Sequence, residues 1–345
     1  MKTRKDFFSL TPSTNPILTK RKIFQSIEKQ IKKSKRILVS GHIGPDFDSI
    51  GGSLGLYFLL KDLKKQVFLG TEFKEQIWLD FESDLPKSAA VSKAKRIDLA
   101  ILIDYGNKDR LPKKARKIIE KDKPIVISID HHNLQTQFGE TVWISSDYCS
   151  VAEMVYELIK KLGWKLTDKI AYYLLLGVVG DTTGFSYYPL TQKRLRMLKD
   201  LIRSEEEFSY FLNLSKKWLS FEDLIKFGKY LRKVKIAKDL GLAYLTVEHN
   251  SEVSYLYSRL SAQISLVDGV KISLLLSRQR TGLVKGELRG SRDNFVDLSQ
   301  IASVFGGGGH FNAAGFISDL SSAKIIKKIK DLLKEQAGQA NLLDS

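Results

Sequence analysis

Arg36-Ile-Leu-Val-Ser-Gly-His-Ile-Gly-Pro-Asp-Phe-Asp-Ser-Ile-Gly-Gly52 reads as a strand, a break and a helix. The run Ile37–Ser40 is near-continuously apolar, as a strand covered on both faces must be. Gly41 interrupts it. Helical periodicity resumes at Ser49 and runs to Leu63, with Leu56, Leu59, Leu60 and Leu63 inward. His42, Asp46 and Asp48 stand at the break, spaced His-x-x-x-Asp-x-Asp. Loops at the carboxyl ends of buried strands are where open α/β sheets hold ligands. Two carboxylates two positions apart can each serve a different cation, so this loop is a candidate half of a two-metal site.

The pattern recurs outward from this stretch. Leu99-Ala-Ile-Leu-Ile-Asp104 and Ile125-Val-Ile-Ser-Ile-Asp130 are apolar runs that end in a carboxylate, and Val67–Leu69 is a shorter strand. Helices separate the strands. Arg21–Lys33 carries Ile23, Ile27 and Ile31 on one face, and Lys113–Glu120 follows Asp104. Ser150-x-x-Glu153 is a capping box opening a helix to Leu162. Thr167 caps a mostly apolar helix ending near Gly180-Asp181. This alternation predicts an α/β fold: a parallel sheet in residues 20–190 with helices on both faces. Buried carboxylates without partners are costly, so His or Asp at three strand ends points to a shared task.

Residues 1–19, with Pro12 and Pro16, read as an N-terminal arm. Residues 191–234 are helical in pattern and read as a connector. From residue 235 to 345 a smaller α/β domain is expected. Its strands are Leu242–Val247, Lys271–Arg278 and Leu283–Leu288; its helices are Ser251–Ser265, Asp297–Phe305 and Ser321–Gln336.

Composition bounds the rest. The 345 residues are 43% apolar and 28% charged, enough for sizeable cores. A single cysteine, Cys149, excludes an intrachain disulfide and a cysteine-rich metal site, and favours a reducing compartment. No signal-peptide pattern and no apolar run long enough to span a bilayer is visible, so a cytoplasmic, membrane-free protein is expected. The net charge of +17 favours polyanionic partners such as nucleic acid or nucleotides. A lysine-rich surface facing water explains such a charge equally well.

Four of the five histidines lie in three motifs: His42, the pair His131-His132 after Asp130, and His310. Only His249 stands alone. Adjacent histidines beside an acid at a strand end can supply a ligand, a second imidazole and an orienting carboxylate. Asp181 near a helix C-terminus opposes the helix dipole and is better placed beside a cation. Gly306–Gly309 sits between apolar segments, unlike a linker, and suits close approach of backbone N–H groups to an anion. Arg280, Arg289, Ser291 and Arg292 precede it, and guanidinium forks suit phosphate.

Taken together, Gly41-His42-Ile43-Gly44-Pro45-Asp46-Phe47-Asp48-Ser49, Ile103-Asp104, Asp130-His131-His132 and Gly180-Asp181-Thr182-Thr183-Gly184 resemble the ordered motifs of the DHH phosphoesterase superfamily. Gly306–His310 with Phe311-Asn312-Ala313-Ala314-Gly315 resembles the glycine-histidine motif of the DHH-associated domain. The resemblance spans about residues 20–340 and is nearest the bacterial nano-RNase type, which degrades very short oligonucleotides and dephosphorylates adenosine 3′,5′-bisphosphate.

That resemblance implies roles by motif position. His42, Asp46 and Asp104 would hold one divalent ion. Asp48, Asp104, His131 and Asp181 would hold a second, with Asp104 bridging. The mixed oxygen and nitrogen donors suit manganese, with magnesium as the alternative. Four aspartates against two divalent ions leave a near-neutral cluster; without metal the carboxylates would raise one another's pKa. His132 would contact the phosphate or protonate the leaving oxygen, with Asp130 orienting the histidines. His310, Gly307, Gly308, Gly309, Arg289, Ser291 and Arg292 would bind substrate, across a cleft that closes on it. The expected partner is a short single-stranded RNA or DNA, or a nucleotide, and a homodimer is compatible with it. Rival readings are a cyclic-dinucleotide phosphodiesterase or single-strand exonuclease on the same scaffold, and a basic nucleic-acid-binding protein with a vestigial metal site. Phe47, between the two acids, either stacks on a base or packs inward.

Overall fold

The computed structural model describes residues 19–71, 96–106, 108–132, 138–185, 188–216, 221–248, 256–291, 294 and 296–343. The N-terminal arm, His249, Arg292 and the first part of the expected helix 251–265 lie outside these residues. Two compact units, Met1–Lys217 and Trp218–Ser345, make up the chain.

The first unit is built on a five-stranded sheet in which every pairing is parallel. Its strands are β1 (Arg36–Ser40), β2 (Gln66–Leu69), β3 (Leu99–Ile103), β4 (Ile125–Asp130) and β5 (Thr141–Ile144), in the order β2-β1-β3-β4-β5. The short edge strand β5 has no counterpart among the expected strands. Side chains alternate between two cores. Ile37, Val39, Ile101 and Ile129 meet α1 (Lys20–Lys33), α2 (Phe47–Asp62), α4 (Val151–Leu162) and α5 (Asp168–Thr182). Leu38, Ala100 and Leu102 meet Ala115 and Ile119 of α3 (Lys113–Asp122) on the other face. Each fully buried Leu or Ile contributes about 1.5–3 kcal/mol to such a core.

Register positions the site. Ser40 pairs with Leu102, and Ile103 with Ile129. The chain therefore leaves β1, β3 and β4 at one level, at Gly41, Asp104 and His131.

Helix α2 departs from the single inward stripe expected of it. It is buried on most sides, from Asp48 through Leu60, and Leu63 lies beyond its last residue, half-buried. Gly51, Gly52 and Gly55 weaken a helix by propensity alone. Here they allow contact instead: a Cβ on Gly51 would lie 2.6 Å from the backbone nitrogen of Gly177 in α5.

Two caps also differ in detail. The Ser150 hydroxyl accepts from Glu153 N–H, but the Glu153 carboxylate accepts from Cys149 N–H rather than completing the reciprocal box. Thr167 precedes α5 without capping it by its side chain. Helices α6 (Gln192–Leu201) and α7 (Glu205–Lys216) end the first unit. Buried Arg194 of α6 donates to Glu153 and to the carbonyls of Asp147 and Pro189, which anchors the segment leading into α4.

The second unit holds a six-stranded mixed sheet ordered β10-β11-β9-β8-β7-β6. The strands are β6 (Lys235–Ala237), β7 (Leu242–Glu248), β8 (Ile272–Arg278), β9 (Val284–Gly290), β10 (Gly308–His310) and β11 (Ala313–Ser318). Only the β7–β8 pairing is parallel. Helices α8 (Phe221–Leu231), α9 (Tyr257–Ile264), α10 (Leu298–Ser303) and α11 (Ser322–Leu343) complete it, with Ile325 and Ile329 of α11 packed on Leu274, Leu276 and Leu288. Strands β6, β10 and β11 were not legible as strands, being short or glycine- and alanine-rich. Among the described residues no helix is long and apolar enough to cross a membrane.

Candidate metal centre

The first motif is held by its own short-range bonds. Asp46 is the N-cap of α2, its Oδ1 accepting from Ser49 N–H at 3.0 Å. Gly41 N–H donates to Thr71, and His42 N–H to the Ser49 hydroxyl. These bonds leave Asp46 Oδ2 facing His42 Nε2 at 3.6 Å. Asp48, one position inside α2, accepts from Val151 N–H at 2.6 Å and Ala152 N–H at 3.0 Å. The first turn of α4 thus fixes its carboxylate, with the helix dipole favouring the charge.

Asp104 follows β3 in the left-handed region, with φ of 49°. Aspartate tolerates this conformation better than most residues. Its two oxygens face different neighbours. Oδ2 lies 3.6 Å from His42 Nε2, and Oδ1 lies 3.6 Å from His131 Nε2. His131 Nε2 is also 3.6 Å from Asp48 Oδ2 and 3.9 Å from Asp181 Oδ2. The arrangement brings together three groups, His42–Asp46–Asp104, Asp48–His131–Asp181 and Asp104–His131–His132; Asp104 belongs to two of them and adjoins the other. Separations near 3.6 Å exceed a hydrogen bond. They match two donors sharing one cation at about 2.0–2.2 Å each.

Asp130 reaches this centre through His132, whose Nδ1 also lies 3.5 Å from Asp104 Oδ1. Its Oδ1 accepts from His132 N–H at 2.9 Å and pairs with His132 Nδ1 at 2.7 Å, and its Oδ2 accepts from Gly106 N–H. It therefore orients His132, which is one-third exposed.

Charge in the cluster is unevenly shared. Burial, followed by repulsion from Asp181 and Asp46, pushes the Asp48 carboxyl well above its ordinary value. Burial, then Asp46 and Asp48, does the same to Asp104. Asp46 goes the other way: desolvation opposes its charge, but His42 and the Ser49 N–H outweigh it. Mutual raising among the four acids therefore holds for Asp48 and Asp104 but not for Asp46. Desolvation lowers and Asp130 raises the His132 imidazole, with a net rise.

A divalent cation fits these residues. Asp104 is 1% exposed, and its Oδ2 accepts no hydrogen bond from a described residue. Such an oxygen is costly without a positive partner. The donors are carboxylate and imidazole with no thiolate, a set for manganese or magnesium rather than a soft ion.

Phe47 packs inward. Its side chain stands against Gly180 of α5, where any Cβ would overlap it. Sequence reasoning missed Arg110, at the end of a 3₁₀ turn (Lys108–Arg110), whose Nη2 lies 3.0 Å from His42 Nδ1. It also missed the N-terminus of α4 as the holder of Asp48. The Ser150 cap was the available signal for the latter; for Arg110 there was only its place a few residues after Asp104.

In the second unit, the glycine run is a turn followed by a strand. Gly306 (φ 74°) ends α10, with Gly306 N–H donating to Ser303 and Gly307 N–H to Ala302. That is helix capping. The Gly307 N–H is thus engaged within the fold. Gly309 is packed so closely that a Cβ would lie 2.6 Å from Ala314 Cα. His310 pairs with Ala313 and Ala313 with Arg289, so the three share one row of the sheet. Ser291 is buried at the end of β9, its N–H donating to Lys271.

These features define a class, and comparison with known proteins agrees with it. Residues 36–178 match the DHH family, N-terminal domain. DHH-family phosphoesterases are hydrolases acting on phosphate esters. The chain is 28% identical to the bifunctional oligoribonuclease and PAP phosphatase NrnA of Thermus thermophilus, covering 89% of this chain and 92% of that one. An exopolyphosphatase-related protein from Bacteroides fragilis shares the fold with a TM-score of 0.74, at 22% identity, covering 92% of this chain and 98% of that one. RecJ of Thermus thermophilus, solved in complex with Mn2+, aligns with a TM-score of 0.52 at 15% identity, covering 92% of this chain and 54% of that one.

Proposed function

We propose that this protein is a manganese-dependent phosphoesterase that hydrolyses very short oligonucleotides to mononucleotides and also removes a phosphate from adenosine 3′,5′-bisphosphate. The observation that carries the reading is Asp104, whose two carboxylate oxygens each lie 3.6 Å from a different histidine. The full-length similarity to an oligoribonuclease and PAP phosphatase supports the substrate class.

In this reading His42, Asp46 and Asp104 hold one cation, and Asp48, Asp104, His131 and Asp181 the other. When bound, the pair makes a water nucleophilic and offsets charge developing at phosphorus. The chain's own residues do the rest. The α4 N-terminus aims the Asp48 carboxyl group through the Val151 and Ala152 N–H groups. Asp130 accepts a hydrogen bond from His132 Nδ1–H, so that the other ring nitrogen is the one that contacts a phosphate oxygen. His132 acts as a clamp on the phosphate before it acts as an acid. Residues 20–190 form the catalytic domain, 191–234 the connector and 235–345 the substrate domain. In the last, Arg289 and His310 bind the substrate's anionic groups, with Gly308, Gly309, Ser291 and Arg292 beside them. The enzyme works in the cytoplasm, away from membranes.

A substrate panel with manganese tests this: a 5′-phosphorylated dinucleotide, a 24-mer, a cyclic dinucleotide, adenosine 3′,5′-bisphosphate and polyphosphate. The dinucleotide and the bisphosphate should turn over fastest. Preference for the 24-mer or the cyclic dinucleotide would replace the reading with a rival on the same scaffold. Nucleic-acid binding with no hydrolysis and no bound divalent ion would leave a binding protein.

A further inference from the structure

We propose that Arg110 is a phosphate-binding residue of the first unit, its guanidinium taking a phosphate oxygen of the substrate beside the His42–Asp46–Asp104 group. The inference rests on the phosphate-ester reading above and extends it to a residue outside the family motifs.

Arg110 is tied to the centre through its backbone. Ile43 N–H donates to the Arg110 carbonyl at 2.6 Å, so the loop bearing His42 and the turn bearing Arg110 are held together. Gly106 gives the side chain its path: Nη1 would lie 3.2 Å from a Cβ placed there, and Gly106 is fixed by Asp130. The guanidinium then reaches the outer edge of the His42 ring, with Nη2 3.0 Å from Nδ1.

Its neighbours leave it without an anion. A guanidinium carries five N–H donors and no acceptor. Asp109, next in sequence, is directed at Arg116, with 3.9 Å between its carboxylate and Nη1. His42 Nδ1 also lies 2.9 Å from the Ile43 carbonyl. Arginine only donates, so the 3.0 Å contact makes Nδ1 an acceptor and uses one of the five guanidinium donors. The guanidinium is then a cation at one ring's width from the centre, exposed to solvent and facing no described carboxylate. Arginine forks bind phosphate oxygens in this setting more strongly than lysine does.

The test uses the full-length, manganese-loaded protein with inorganic phosphate as probe, in Arg110→Ala and Arg110→Lys variants. Calorimetry should show phosphate affinity about 10- to 100-fold weaker in Arg110→Ala, the span of a charge-assisted hydrogen bond. Arg110→Lys should recover part of it, manganese affinity should stay within about 2-fold of wild type, and KM for the dinucleotide should rise more than kcat falls. Unchanged phosphate affinity in Arg110→Ala would overturn the proposal. So would a parallel loss of manganese affinity, which would make Arg110 a positioning residue for His42. Should wild-type protein hydrolyse no ester yet bind phosphate through Arg110, the reading of the reaction fails and this assignment stands.

Discussion

Gly51 and Gly177 meet across α2 and α5 so closely that a methyl group on Gly51 would lie 2.6 Å from the Gly177 backbone nitrogen. A methyl group on Gly177 would in turn lie 3.1 Å from Asp48 Oδ1 and 2.7 Å from the Ala152 Cβ. This contact between α2 and α5 is therefore also a wall of the candidate metal centre. Backbone has no rotamer by which to give way.

Gly51→Ala should accordingly destabilise the protein by about 1–3 kcal/mol through overpacking, and weaken divalent-ion affinity as Asp48 shifts. Gly228→Ala in α8, where a Cβ meets nothing within 4 Å, should be neutral or stabilise by about 0.5–1 kcal/mol. Thermal melts of both variants, with and without manganese, check the contrast. Equal melting temperatures would sink the steric account.

Asp104→Asn should keep the fold and lower kcat by at least about 10³-fold, since several kcal/mol of charge stabilisation depend on it. Metal analysis after dialysis should show both ions depleted, because one carboxylate adjoins both groups. Retention of one tightly held ion would show that the residue serves only one site.

Asp130→Asn should leave bound metal unchanged while lowering activity by about 10- to 100-fold. The 2.7 Å pairing with His132 Nδ1 is the interaction removed. The pH–rate profile is the discriminating measurement. A variant with His132 no longer held protonated at Nδ1 should show its His132-dependent limb at lower pH, since Asp130 raises the imidazole's value.

Stabilisation by metal should grow with pH. Burial and like charge raise Asp48 and Asp104, so the metal-free fold holds protons that the unfolded chain gives up near 3.8. Its stability is therefore lost as pH rises through the folded values. A divalent ion removes that penalty. Manganese should raise the melting temperature more at pH 7.5 than at pH 5.5, and the reverse order would contradict these directions.

Glu157 behaves oppositely. Burial works against its charge, but Lys193 at 2.6 Å and Lys20 at 2.5 Å outweigh burial and lower its pKa. The stabilisation is present above the unfolded value near 4.5 and is lost as pH falls through the folded value. Glu157→Gln should cost about 1 kcal/mol at pH 7 and less at pH 3. Denaturant melts at the two pH values give the comparison.

What can be read from the order of residues is what acts over a few positions. The apolar runs ending at Ser40, Ile103 and Asp130 announced three parallel strands. The motif residues His42, Asp46, Asp48, Asp104, His131 and Asp181 were all legible as candidates, because a carboxylate or imidazole at a strand or helix end has no packing reason to be there. Strand β5 and the glycine-rich β10 were not legible, since β5 is a four-residue edge strand with polar flanks and the glycines of β10 carry no apolar pattern. The sharing of oxygens was also hidden. Asp48 is held by α4, 103 positions away, and Arg110 touches His42 across 68. Only the parallel register, which brings three strand ends to one level, decides which of those distant groups face one another. Sequence proximity governs caps and strands; three-dimensional proximity, produced by packing Gly51 on Gly177 and β1 beside β3, governs the charges that meet.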